Sequence, residues 1–226
     1  MHVLVADIGG THARFALASI EAGAITLAHE AVLKGAEHPT LQSAWRAYAA
    51  KLSLPAPRAA AIAVACPADG ETLSFTNSPW SIEVASLKAD LGLDRALLIN
   101  DFAAIGNAVA ALDDAHFEHI TGPNRPLPEE GVISIIGPGT GLGVSQLVRV
   151  ENRSQVISTE GGHVSFAPID ALEDEMLARL RARHGRVSAE RVVSGPGLAE
   201  IYAVLAAHAQ ARAWDGDDST LWRTAL

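Results

Sequence analysis

One pattern occurs twice in this chain and limits what it can fold into: an apolar run, a glycine-rich turn carrying a threonine, a second apolar run, and a third. In the first copy, residues 3–7 lead into Asp7-Ile8-Gly9-Gly10-Thr11, residues 15–19 follow, and residues 24–32 come after the turn Glu21-Ala22-Gly23. In the second copy, residues 132–136 lead into Gly137-Pro138-Gly139-Thr140-Gly141-Leu142-Gly143, with residues 144–150 and 156–158 behind them. Short runs of β-forming residues bounded by glycine turns read as strands joined in hairpins. A repeat of this kind implies two three-strand meanders, each opening one part of a duplicated α/β chain.

The intervening sequence supplies the other layers. Leu41, Trp45, Tyr48 and Leu52 mark one helical face behind Pro39-Thr40, where the helix starts. Residues 60–65 and 96–99 are short uninterrupted apolar runs, the pattern of strands covered on both faces. Phe102, Ile105 and Val109 then continue at helical spacing to about Leu112. Strand, polar pair and helix in succession put Asn100-Asp101 at the carboxyl end of a strand, where α/β sheets carry their functional groups. Residues 113–131, with Pro123, Pro126 and Pro128, read as a linker, so the expected domains are residues 1–112 and 113–226.

In the second part, Leu172, Met176, Leu177 and Leu180 predict a helix ended by Gly185, and Leu198, Ile201, Tyr202 and Leu205 predict another. Residues 219–226 read as the beginning of a further helix, and nothing here parallels the strand at 96–99. The second lobe is therefore expected to be incomplete.

Composition removes several functions. The chain has 226 residues, 49% of them apolar, enough to bury a real core. Its net charge of −9 gives no general attraction for nucleic acid or anionic lipid, so neither is an expected partner. Cys66 is the only cysteine, which excludes an internal disulfide and a cysteine-based zinc site and suits a reducing cytoplasm. No basic stretch followed by a long apolar one opens the chain, and residues 59–66 are too few to span a bilayer.

Neither glycine turn fits a familiar nucleotide fingerprint. The glycines at 137, 139, 141 and 143 do not match G-x-G-x-x-G, a strand follows them in place of a helix, and no Gly-Lys-Ser/Thr occurs in the chain. The second turn is then either a tight structural hairpin or a place where backbone N–H groups and Thr140 meet an anion. Asp7 makes the first turn more informative. A carboxylate beside a phosphate turn repels the phosphates unless a divalent cation lies between, so Asp7 is a candidate to hold Mg²⁺ through water. An Asx-type cap of the turn is the alternative.

Three polar sets are rich in acceptors and suit a polyol: Asn100-Asp101-Phe102, Glu160-Gly161-Gly162-His163 and Ser188-Ala189-Glu190-Arg191. Asp101 is either a helix N-cap or a proton acceptor for an attacking hydroxyl. Glu160 and His163 lie either in a polar turn with Gly161-Gly162 as a hairpin or in a binding site. No HExxH or CxxC pattern supports a structural zinc there. Glu190 is either a ligand or a surface ion-pair partner of Arg186 or Arg191.

In this order the segments resemble the bacterial glucokinase family, hexokinase-type sugar kinases of the actin-like ATPase superfamily. The stretches that carry the resemblance are Ala6-Asp7-Ile8-Gly9-Gly10-Thr11-His12-Ala13-Arg14, Thr76-Asn77-Ser78-Pro79-Trp80, Ile99-Asn100-Asp101-Phe102, residues 137–144, Glu160-Gly161-Gly162-His163-Val164, residues 187–192, and Ser194-Gly195-Pro196-Gly197. They cover nearly the whole chain. The resemblance implies a two-lobed actin-like ATPase (ribonuclease H-like) α/β fold and ATP-dependent phosphorylation of the 6-hydroxyl of D-glucose in a cleft between lobes, with ATP and Mg²⁺ bound.

It implies Asp101 as general base and Asn100, Asp101, Glu160, His163 and Glu190 as ligands of the sugar. It also implies Ala6, Asp7, Ile8, Gly9, Gly10 and Thr11 as the first phosphate loop and Gly137, Gly139, Thr140 and Gly141 in the second. A homodimer is left open. Family members continue through a third glycine-rich segment that holds the adenosine and a final helix returning to the first lobe, both absent here. A catalytically silent glucose-binding fragment, or an actin-like phosphatase or ATPase without a sugar, are the competing readings.

Overall fold

A computed structural model describes residues 1–53, 55, 57–75, 78–212, 214, 216–217, 220–221 and 223. Thr76 and Asn77 of the second family segment, and most of the helix expected at 219–226, lie outside them. The described elements, in chain order, are β1 (His2–Ile8), β2 (His12–Glu21), β3 (Ala24–Lys34), α1 (Leu41–Ala49), β4 (Ala59–Val64), β5 (Thr72–Ser74), β6 (Ser81–Glu83), α2 (Leu87–Leu91), β7 (Arg95–Asn100), α3 (Asp101–Ala111), β8 (Gly131–Pro138), β9 (Leu142–Val150), β10 (Arg153–Thr159), α4 (Ala171–His184) and α5 (Gly195–His208). The chain divides into two compact units, Met1–Ile105 and Gly106–Leu226, with the division inside α3.

The first unit is built on a five-stranded sheet of order β3-β2-β1-β4-β7. The meander β1-β2-β3 is antiparallel, whereas β4 and β7 run parallel to β1. Burial alternates along β1, with Leu4, Ala6 and Ile8 turned into a core that also holds Leu41, Trp45 and Tyr48 of α1 and Leu87 and Leu91 of α2. Phe15 stacks on Tyr48 at a centroid distance of 5.1 Å and meets Trp45 edge-on at 6.1 Å, a geometry that adds to the burial of all three rings. The opposite face of the sheet is an open concavity of about 510 Å³, lined by Val5, Ala16, Leu27, Ala61, Ala63 and Ile99 among others.

α1 begins where Pro39-Thr40 predicts. The Ser43 N–H donates to Thr40 Oγ1 (3.2 Å) and the Thr40 N–H donates to Ser43 Oγ (3.3 Å), a reciprocal capping box. Replacing Thr40 by alanine is expected to cost about 1 kcal/mol, which a thermal melt registers as a fall of roughly 2–4 °C for a chain of this size. The helix stops at Ala49, one turn before the apolar stripe ends, and Leu52 packs on the core from the following turn.

The second unit repeats the meander as the antiparallel sheet β10-β9-β8. Both copies close their second hairpin the same way. Ala22-Gly23 (φ 50° and 87°) joins β2 to β3, and Glu151-Asn152 (φ 48° and 60°) joins β9 to β10, each a two-residue loop with both residues left-handed. Among the described residues no strand pairs in parallel with β8, where β4 pairs with β1 in the first sheet. Its inner face carries Ile135, Ser145 and Leu147, all buried, while Val132 and Ile136 are exposed on the other.

α4 starts at Asp170, whose side chain accepts from the Glu173 N–H, and ends at Gly185 (φ 69°). α5 starts at Ser194, which accepts from the Gly197 N–H, and carries proline in its first turn. The two helices share a core of Met176, Leu180, Val187, Val192 and Val204. None of the described helices is long and apolar enough to cross a membrane.

Candidate functional site

In the first unit the parallel register gathers the polar residues along one edge of the sheet. Ile8 lies opposite Val64 and Val64 opposite Asn100, so the first glycine turn, the Cys66 segment and Asn100-Asp101 all leave the sheet from the same row. That is the carboxyl edge of β1, β4 and β7, as the sequence predicts for Asn100-Asp101.

At this edge the capping role belongs to Asn100. Its Oδ1 accepts from the Phe102 N–H (3.0 Å) and the Ala103 N–H (3.2 Å), and its Nδ2 donates to the Cys66 carbonyl (3.4 Å) and to Asp101 Oδ1 (2.9 Å). Asp101, which the sequence left as either cap or base, is the first helical residue and is only half-buried. Its Oδ1 also accepts from the Phe102 N–H (2.8 Å), and no hydrogen bond to Oδ2 occurs among the described residues. Burial raises its pKa above the usual aspartate value, and the Asp7 carboxylate pushes the same way, while the bonds from Phe102 and Asn100 oppose them. Burial and the Asp101 charge together also push the Cys66 thiol up.

Among the described residues Asp7 makes no Asx-type hydrogen bond to the turn. It lies opposite Arg14 in the β1-β2 register, and Arg14 Nη1 donates to Asp7 Oδ2 at 2.8 Å. The turn itself is closed by the Gly9 N–H donating to the His12 carbonyl (3.0 Å), which leaves the Gly10 and Thr11 N–H groups as its remaining donors. Ala6 and Ile8 have their side chains in the core, so only their backbones face the turn. No cluster of three or more metal-ligating side chains occurs among the described residues. A single carboxylate still fits Mg²⁺, which keeps several waters and takes its remaining ligands from substrate phosphates.

The second unit brings together Glu160, His163 and Glu190, which the sequence has in two separate segments. Glu160 precedes a single 3-10 turn, Gly161–His163, and not the hairpin that is one of its two readings from sequence. The following segment pairs with the residues before Glu190: Ser165 bridges Ser188, the Phe166 N–H donates to the Val187 carbonyl (3.0 Å), and the Ala189 N–H donates to the Val164 carbonyl (2.8 Å). His163 is thereby held between two carboxylates, with Nδ1 3.1 Å from Glu160 Oε2 and Nε2 3.5 Å from Glu190 Oε1. Arg186 is no partner of Glu190. It donates to the His163 carbonyl.

Residues that sequence reasoning passed over complete this arrangement. Thr159 Oγ1 donates to the Val144 carbonyl (2.9 Å) and accepts from the Gly161 N–H (3.2 Å), tying the turn to β9. The second glycine turn is partly engaged within the protein: the Gly139 N–H donates to the Gly141 carbonyl (2.8 Å), the Gly195 N–H to the Gly139 carbonyl (2.8 Å), and the Leu142 N–H to Glu190 Oε2 (3.0 Å). For Arg14 a signal existed, since counting outward from Gly10-Thr11 places it opposite Asp7. For Thr159 and Leu142 the sequence carries none.

The profile of the glucokinase family matches residues 4–226. The glucokinase of Zymomonas mobilis is 52% identical over 227 residues, covering all of this chain and 70% of that relative. The chain belongs to the glucokinase family. Within that family, the crystal structure of a glucokinase from an Antarctic psychrotroph superposes with a TM-score of 0.79 at 36% identity, over 99% of this chain and 70% of that one. A ROK family glucokinase from Streptomyces griseus, solved in complex with glucose and AMPPNP, shares the fold at 20% identity and a TM-score of 0.53, covering 92% of this chain and 62% of its own. The mixed α/β architecture is thus that of the sugar kinases in the actin-like ATPase superfamily.

Proposed function

We propose that this glucokinase-family chain transfers the γ-phosphoryl group of ATP to the 6-hydroxyl of D-glucose, with Asp101 as the general base. The observation that carries the assignment is the state of Asp101: half-buried, with Oδ1 held by Phe102 and Asn100, Oδ2 left to accept a proton, and a pKa lifted toward the working range. The phosphoryl-transfer transition state is loose, so the protein contributes mainly alignment and charge stabilisation, and Asp101 directs the hydroxyl as it attacks.

Asn100, Glu160, His163 and Glu190 are the proposed hydroxyl ligands. Two carboxylates flanking an imidazole offer several acceptors beside a nitrogen that can donate, a pattern that rejects a sugar lacking one hydroxyl because a group covered by the bound sugar is then left unpaired. The Gly10 and Thr11 N–H groups, with Thr140 and the Gly141 N–H of the second turn, are the proposed phosphate donors. Asp7 would hold Mg²⁺ through water, and the ion, when bound, supplies positive charge to the β- and γ-phosphate oxygens. The Streptomyces relative, solved with glucose and AMPPNP, agrees with this pair of substrates. The single thiol of Cys66 suits a cytoplasmic setting.

The direct test is a thermal-shift titration. D-Glucose at a hundred times its Kd is expected to add about 2.7 kcal/mol, or roughly 5–10 °C in melting temperature for a chain of this length, while L-glucose adds nothing. Mg-ATP is then added, and glucose 6-phosphate is followed in a coupled assay. A shift with D-glucose and no phosphorylated product would make the chain a glucose-binding protein; no shift with either sugar would remove the hexose site.

A further inference from the structure

The glycine at position 141 sits in the turn that the family resemblance implies as a second phosphate loop. Gly141 has no left-handed backbone to explain it, because it is absent from the residues with positive φ. What occupies the space beside its Cα is a carboxylate belonging to the protein. A Cβ built on Gly141 would lie 2.4 Å from Glu190 Oε2 and 3.1 Å from Glu190 Cδ. The same Oε2 accepts from the Leu142 N–H at 3.0 Å, and the other oxygen, Oε1, faces His163 Nε2 at 3.5 Å.

From this geometry we infer that Gly141 is a positioning residue for Glu190. Its missing side chain lets one carboxylate oxygen seat on the Leu142 N–H, and that seat fixes the second oxygen beside His163, where a sugar hydroxyl is received. The inference rests on the proposed role of Glu190 in glucose binding. A carboxylate anchored by a charge-assisted bond to a backbone amide has lost its rotamer freedom before the sugar arrives. Bound to nothing, a glutamate that is 30% exposed samples several rotamers, and each misplaces the acceptor. The second glycine turn thus carries two duties. The Leu142 N–H organises the sugar side, and the Thr140 and Gly141 N–H groups remain for phosphate.

The clash at Gly141 falls on the far end of a flexible side chain, so Gly141→Ala moves Glu190 and leaves the fold in place. The expected result is a melting temperature without ligand within a few degrees of the parent and a glucose Kd, by titration calorimetry, at least tenfold weaker. In a Glu190→Ala background, the same Gly141→Ala change is expected to leave the glucose Kd within twofold of Glu190→Ala alone, since it acts only through the side chain already removed. Independent losses that multiply would overturn the inference.

A second readout needs no sugar. The Leu142 amide proton resonance should move on Gly141→Ala in the direction it moves on Glu190→Ala. An unchanged Leu142 resonance in Gly141→Ala overturns the positioning role even if glucose fails to bind. A parent chain that does not bind glucose overturns the functional reading instead.

Discussion

Replacing Asp101 by asparagine is expected to lower the turnover number for glucose phosphorylation by about 10²–10⁴-fold, the usual contribution of a positioned base. The amide oxygen of asparagine can still accept from the Phe102 N–H, so glucose affinity and the start of α3 are expected to persist. The same substitution should raise the melting temperature at neutral pH. Burial and Asp7 hold the Asp101 pKa above its unfolded value, so the folded state grips the proton harder than the unfolded state does. Stability contributed at this position therefore declines as pH rises from the unfolded pKa through the raised folded one, and it stays reduced above that window.

Asparagine does not titrate and escapes that penalty. A coupled assay for glucose 6-phosphate and a melt at neutral pH check both halves. Unchanged turnover removes Asp101 as the base, and a lower melting temperature contradicts the electrostatic account. In the parent, kcat/KM should fall on the acid side with a midpoint above the ordinary aspartate range, because the base must be ionised to accept a proton.

The second large effect is structural. A Cβ on Gly162 would lie 2.1 Å from the Leu142 carbonyl oxygen and 3.1 Å from Leu142 Cβ. Unlike the contact at Gly141, this one falls on backbone, at the end of β9 where Leu142 is paired with Pro138 of β8. Neither partner can step aside without breaking ladder bonds, so Gly162→Ala is expected to cost about 3 kcal/mol by overpacking, a fall of roughly 6–12 °C in melting temperature. Glucose binding should be lost with it, since Glu160 and His163 flank the displaced turn. At Gly161 the neighbour is the Val144 side chain, with Cγ1 2.9 Å from a built Cβ, and alanine there should cost less. Equal melting curves for the parent and Gly162→Ala would contradict the packing described.

The comparison of these glycines shows where the sequence could be read and where it could not. Apolar runs and turn chemistry place β1, β4, β7, β8 and β9 within a residue or two and β2 within three, because short apolar runs punctuated by glycine are a local signal. The stripe Leu41, Trp45 and Tyr48 and the signal Pro39-Thr40 do the same for α1. β5, β6 and α2 were not read at all. They span three, three and five residues, too short for any period to show, and tertiary packing of Leu73, Ile82, Leu87 and Leu91 holds them.

At the site, residue types and neighbours pointed to Asn100, Asp101, Glu160, His163 and Glu190, but not to the division of labour among them. Which of Asn100 and Asp101 caps the helix depends on a rotamer. The pairing of Asp7 with Arg14 depends on register. Nothing local relates Leu142 to Glu190, which lie 48 residues apart and meet only after folding.

The double use of Asn100 bears on how the hexose preference of this protein could be altered. Its carbonyl oxygen holds two amides at the start of α3, and its amide reaches the Cys66 carbonyl and the Asp101 carboxylate. A library that randomises position 100 together with 160, 163 and 190 would fill with folding casualties that score as specificity failures. Directed evolution should leave position 100 untouched and let selection act on the other three.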